Sequence, residues 1–238
     1  MAKNIENEMQ NEENNVNLIG EENQTETFIQ KNSKIIITIS VVIILIVGLL
    51  VILRNKSKED ESIASTLLTR VLPYYESADY QKSLDGDPEK TYLGEPVKGL
   101  RFIVEEYKRT PAGRLAALYV GNILLSTSKY SEAKEYFEIA QDASSKYVQA
   151  GAMAGLAGCL ETENKFLEAA KLYENAANLI LDDEISARYR YYAGFAYEKA
   201  GNKQNSEKIY RDLINRARFS EFSQMAKAGL IRIGTIIE

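Results

Sequence analysis

The chain has 238 residues, with 29 lysines and arginines against 34 aspartates and glutamates and a net charge of −5. It contains no histidine and one cysteine, Cys159. That composition removes the commonest general base and metal ligand, any intramolecular disulfide, and a zinc site built on thiolates. Six of the basic and seven of the acidic residues precede Glu59, which leaves 23 against 27 in the remainder. A domain so balanced has no electrostatic footprint for nucleic acid.

In chain order, residues 1–33 are predicted to form a disordered acidic tail. Up to Gln30 a single lysine, Lys3, stands against seven glutamates, and asparagine is abundant with no apolar periodicity. Residues 34–54 are predicted to span a membrane. Positions 35–53 read IIITISVVIILIVGLLVIL without a charge, long enough at about 1.5 Å per residue to nearly match a hydrocarbon core of roughly 30 Å. Lys31 and Lys34 flank one end, and Arg54, Lys56 and Lys58 the other, as interfacial anchors. The preceding region is too long and acidic for a cleaved signal peptide. The basic residues near the span favour a cytoplasmic carboxyl side, but long domains cross largely regardless of charge. Residues 55–60 are predicted as a solvated linker containing Glu59 and Asp60, with Glu61 beside them.

Residues 61–238 are predicted to form an all-α repeat domain of about four helix pairs plus a capping helix. A small residue followed by positions three, twelve, sixteen and nineteen further on recurs three times. The registers are Gly121, Leu124, Ala133, Phe137 and Ala140; Ala157, Leu160, Ala169, Tyr173 and Ala176; and Gly194, Tyr197, Ser206, Tyr210 and Leu213. Small residues on the first helix of a pair let the second approach, and the aromatic fills the gap. The pattern resembles tetratricopeptide (TPR) repeats, at a period of 36 and 37 residues. Upstream, 61–78 and 96–108 read as helices of a degenerate fourth unit, the second ending before Thr110-Pro111. Residues 79–95, with Gly86, Pro88 and Gly94, are predicted as a surface loop. Residues 221–237, apolar at Phe222, Met225, Leu230 and Ile233, are predicted as the capping helix.

No residue set points to catalysis or to a cofactor. Cys159, among alanines and glycines, reads as a packed thiol. Asp85, Asp87 and Glu89 around Gly86 suggest a calcium loop only superficially, since no bidentate glutamate follows at the required spacing. The predicted binding surface is the face of each first helix opposite its packing residues. It comprises Leu118, Asn122, Leu125 and Ser126, then Ala154, Gly158 and Glu161, then Arg188, Tyr191, Phe195 and Glu198. Leu118 stands where TPR domains that bind carboxylate-terminated chaperone tails use a lysine, so a partly hydrophobic polypeptide is the expected ligand. Tyr191 and Phe195 are the expected anchors, with Arg188 and Glu198 at the rim; the competing reading packs both aromatics against the next repeat or the capping helix.

The order of acidic tail, FIQKNSK, one membrane helix and degenerate repeats resembles the YfgM-like ancillary subunits of the bacterial Sec translocon. YQKSLDGD at 80–87, EEYKRTPAGRLAALYVGN at 105–122 and Gln224-Met225-Ala226 agree with it. The resemblance implies a bacterial inner-membrane protein with a cytoplasmic amino terminus and a periplasmic repeat domain. It further implies a non-catalytic scaffold that passes secreted proteins from the translocon to periplasmic chaperones, without cofactor or metal. A coordinator of cell-envelope assembly or division fits the same fold, and an enzyme using Asp and Glu pairs is the rival from another class.

Overall fold

The computed structural model describes the backbone of residues 2–235 and the side chains of residues 32, 33, 37–182 and 184–235. The chain is mostly helical, with ten helices and one two-stranded sheet among the described residues. It divides inside its first helix into two units, Met1–Lys56 and Ser57–Glu238. Each is described by itself below.

Helix α1, Ala2–Glu76, begins in the acidic tail that composition predicts as disordered. Polarity sets the expectation of disorder, but glutamate and glutamine are good helix formers and no proline precedes Pro73. One helical stretch among the described residues is long and apolar enough to cross a membrane, with a mean hydropathy of 2.9 over its most apolar window and none of that window buried. The predicted linker 55–60 is likewise helical. Glu61, expected in solvated surroundings, accepts a hydrogen bond from the Ala112 backbone N–H at 2.9 Å.

In the second unit, residues 57–76 of α1 place Ala64, Leu68 and Val71 in the core. The predicted loop 79–95 is ordered differently. It contains α2 (Tyr80–Asp85), β1 (Gly86–Tyr92) and the start of β2 (Glu95–Lys98), the two strands being antiparallel. The breakers mark turns of a hairpin and not an irregular loop. Leu93 and Gly94 at the tip both have positive φ, 53° and 83°, as a tight two-residue hairpin turn requires. Gly86 and Gly99 close its base: a Cβ on Gly99 would lie 2.2 Å from the Leu84 carbonyl oxygen. Pro96 therefore belongs to β2, and the helix expected over 96–108 is the shorter α3, Leu100–Tyr107.

Asp87 fastens the hairpin to α1. Its carboxylate accepts from the Tyr74 hydroxyl at 2.6 Å, from Lys82 Nζ at 2.9 Å and from the Glu89 backbone N–H at 3.1 Å. The hydrogen bonds from Tyr74 and Lys82 hold its carboxyl down at about 2. Asp85 bonds to Gln81 and Arg101, so Asp85 and Asp87, the two aspartates that suggest a calcium loop, are both committed to protein partners. Among the described residues no group of three or more acidic or cysteine side chains could hold a metal ion.

Seven helices follow: α4 (Pro111–Ser126), α5 (Tyr130–Gln141), α6 (Lys146–Thr162), α7 (Phe166–Leu179), α8 (Asp183–Lys199), α9 (Lys203–Arg216) and α10 (Glu221–Arg232). Each packs on the next, and α4 also touches α6, as α8 touches α10. Side-chain caps start four of them, α4, α8, α9 and α10: Thr110 Oγ1 accepts from the Gly113 N–H at 3.0 Å, with Pro111 in the first turn, and Asp182 accepts from the Ile185 N–H at 2.9 Å.

One closure ends five of the helices. A residue with positive φ follows the last turn, and the next N–H reaches back five residues. The pairs are Asp79 to Tyr74, Lys129 to Leu124, Lys165 to Leu160, Asn202 to Tyr197 and Thr235 to Leu230, at 2.8–2.9 Å. The left-handed residues are Ala78, Ser128, Asn164, Gly201 and Gly234. This is the Schellman geometry, which satisfies carbonyls that a helix end leaves open. The capping helix expected over 221–237 ends at Arg232 because Gly234 takes the left-handed conformation; Ile236 and Ile237 lie outside the described residues.

The small residues of the sequence pattern sit at helix contacts. Phe137, fully buried on α5, lies where a Cβ on Gly121 of α4 would come 2.6 Å from its ring, and one on Gly155 of α6 2.3 Å. Tyr210 on α9 stands in the same relation to Gly194 and Gly229, at 2.5 and 2.4 Å.

Candidate protein-binding groove

An open groove of about 710 Å³ runs across α4, α6 and α8. Its residues recur every three or four positions along each helix, which places them on one face. From α4 come Leu118, Asn122 and Leu125; α6 contributes a floor of small residues, Gly151, Ala154, Gly155 and Gly158, with Glu161 in its last turn. α8 supplies Arg188, Tyr192 and Phe195. The small floor has a packing cause: a Cβ on Gly151 would lie 3.1 Å from Leu118 Cδ2, and one on Gly158 3.3 Å from Leu125 Cδ2. The leucines of α4 thus rest along α6, in the space that side chains at Gly151 and Gly158 would take.

Tyr173 of α7 enters the groove from beneath. Its ring packs against Tyr192 at 5.5 Å, and its hydroxyl donates to Glu161 Oε2 at 3.3 Å. Burial pushes the Tyr173 hydroxyl well up and also pushes the Glu161 carboxyl up, the latter against the hydrogen bond from Tyr173. The exposed Arg188 places its guanidinium 5.6 Å from the Tyr189 ring centroid. The lining is therefore aromatic, aliphatic and glycyl, with one amide, one carboxylate and one guanidinium, each on a different helix.

No family model, curated protein or solved structure matches the chain. The groove must be read from its own chemistry.

Of the predicted face, Leu118, Asn122, Leu125, Ala154, Gly158, Glu161, Arg188 and Phe195 line this groove. Three predicted residues do not. Ser126 turns its hydroxyl back to the Ile123 carbonyl at 2.8 Å. Tyr191 is only 9 % exposed and belongs to the core formed with Tyr210, Leu213, Ala226 and Leu230. Its ring lies 6.1 Å from Tyr210, 6.2 Å from Phe195 and 6.1 Å from Phe222. Glu198 accepts from the Tyr210 hydroxyl at 3.0 Å and from Arg232 Nε and Nη2, both at 2.9 Å. Although burial works in the other direction, these donors hold Glu198 below the ordinary carboxylate range.

The cause of the last two is α10. It packs on α8, and its Phe222 and Arg232 cover Tyr191 and Glu198, so the competing sequence reading holds for Tyr191. Phe195 is half-buried, stacked on Tyr191 and faced by Lys199 at 5.1 Å and Arg232 at 5.7 Å. Sequence reasoning misses Tyr147, Ile185, Tyr189 and Tyr192, all of which line the groove. The available signal is the stripe Ile185, Arg188 or Tyr189, Tyr192 and Phe195, whose steps are three or four residues, one residue round the helix from Tyr191.

Proposed function

We propose that the chain is a non-catalytic, membrane-anchored scaffold of the tetratricopeptide type whose groove holds a segment of another polypeptide. The observation that carries this reading is the groove itself. It is open and lined by tyrosines, leucines and the small residues of α6. Tyrosine-rich walls give a large contact area at small loss of side-chain entropy, which suits polypeptide recognition. Support for the tetratricopeptide class comes from the helix closures at Ser128, Asn164 and Gly201, which repeat at the 36- and 37-residue period of the sequence, and from aromatics wedged between glycines.

The resemblance described above supports placing the scaffold in the bacterial inner membrane beside the Sec translocon, with the repeat domain, residues 61–238, periplasmic and handing secreted proteins to chaperones there. Protease added to spheroplasts should then digest those residues, and their full protection would overturn the orientation. For the groove, a benzophenone amino acid incorporated at Asn122 or Tyr192 in growing cells should crosslink to translocon subunits, chaperones or their clients. The same group at the exposed Lys171 or Lys208, outside the groove, should not. Equal yields from both sets would remove the groove as the binding surface.

A further inference from the structure

Glu161 and Glu198 occupy equivalent positions. Each lies in the last turn of its helix, and each accepts the hydroxyl of the tyrosine twelve residues later, Tyr173 and Tyr210. Their remaining surroundings differ. Glu198 is closed by Arg232 from the next helix but one, through two charge-assisted hydrogen bonds. Arg232 follows Gly229, the residue that meets the Tyr210 ring, by three positions. On α8 the residue that meets the Tyr173 ring is Tyr192, and three positions on stands Phe195. Where the carboxyl-terminal pair has a guanidinium, the central pair has Phe195, a groove-lining ring that is stacked on Tyr191 and faced by Lys199 and Arg232 and so brings no charge to Glu161.

Glu161 is thus a half-buried carboxylate that accepts from one neutral donor, the Tyr173 hydroxyl, and it forms no salt bridge among the described residues. A buried charge left with a single neutral partner is costly, and a pairing cation relieves that cost. The Tyr192 ring, which packs at 5.5 Å on the Tyr173 that holds Glu161, adds attraction for a cation through its negative face. Resting on the peptide-groove reading above, we infer that Glu161, with Tyr192, is a specificity pocket for one basic side chain carried by an otherwise apolar polypeptide segment. The ligand's lysine or arginine takes the part at Glu161 that Arg232 takes at Glu198. Its apolar neighbours lie against Leu118, Leu125 and the glycine floor of α6. Arg188, in the second turn of α8, disfavours a second basic residue at the other end of the groove.

The test uses the full-length protein in lipid nanodiscs and ten-residue apolar peptides, acetylated and amidated, with lysine, norleucine or glutamate at the centre. The lysine peptide should bind at least about tenfold more tightly than the norleucine peptide, as expected when a hydrogen-bonded charge pair is formed away from water. Glu161→Gln keeps the acceptor for the Tyr173 hydroxyl and should level the two peptides without changing the melting temperature. Equal binding of lysine and norleucine peptides by the native protein would overturn the specificity pocket and leave the groove standing as a peptide site. Binding of no peptide would remove the groove reading together with the pocket. A lysine preference that survives Glu161→Gln would also overturn it, as would a norleucine peptide with a free amino terminus binding as tightly as the lysine peptide.

Discussion

Phe137→Ala is expected to destabilise the second unit by roughly 3–5 kcal/mol, the usual range for a large aromatic deleted from a core. Phe137 is fully buried and fills the space between Gly121 and Gly155, so its removal leaves a cavity bounded by the backbones of α4 and α6. For a domain of this size the melting temperature should fall by on the order of 10 °C. The glycines are the other half of the same contact. Gly121→Leu must push α4 from α5, and overpacking of this kind costs about 1–3 kcal/mol. Gly155→Ala should be costly beside Phe137 and nearly free in a Phe137→Ala background, since the added methyl then enters the cavity. Additive melting shifts in that double-mutant cycle would show that the ring and the glycine are not in contact.

Tyr191 and Tyr192 are adjacent and should behave oppositely. Tyr191→Ala removes a ring that joins α8 to Tyr210 of α9 and Phe222 of α10; a loss of roughly 3 kcal/mol or more is expected from burial together with its ring contacts. Tyr192 is 38 % exposed and lines the groove. Tyr192→Ala should shift stability by no more than about 1 kcal/mol while weakening polypeptide binding. Thermal melts and binding measured on the two variants in parallel check the assignment. A stable Tyr191→Ala variant that fails to bind would restore Tyr191 to the groove.

The contrast between these neighbours shows how far the sequence reaches. Periodicity alone is enough to place Gly121, Phe137, Gly194 and Tyr210 at helix contacts, because a small residue and an aromatic at fixed spacing have one packing solution. It also finds most of the groove on α4 and α6. On α8 the same rule picks Tyr191, since Leu118, Ala154 and Tyr191 are equivalent by register. The rule treats every first helix alike, whereas α8 is followed by α10, whose Phe222 and Arg232 cover positions that on α4 and α6 line the groove. Nothing in the local pattern of α8 carries that information. The hairpin is missed for a different reason: Gly86, Pro88 and Gly94 are read as breakers, while the tertiary anchor that orders them, Asp87 on Tyr74 and Lys82, joins residues that no helical or strand period relates. Glu61 on Ala112 escapes in the same way, being a contact across 51 residues.

Binding of an unfolded polypeptide to the full-length protein in nanodiscs, compared between the native chain and Asn122→Trp, bears most directly on the groove as the working surface. Asn122 lines the groove and is half-buried, so an indole there occupies the space a ligand would take while leaving the helix contacts of Gly121 untouched. A reduced, permanently unfolded protein titrated by calorimetry should bind the native chain saturably. For Asn122→Trp the affinity should fall at least about tenfold, or about 1.4 kcal/mol, with an unchanged melting temperature. An affinity unchanged by Asn122→Trp in a folded protein would contradict the account.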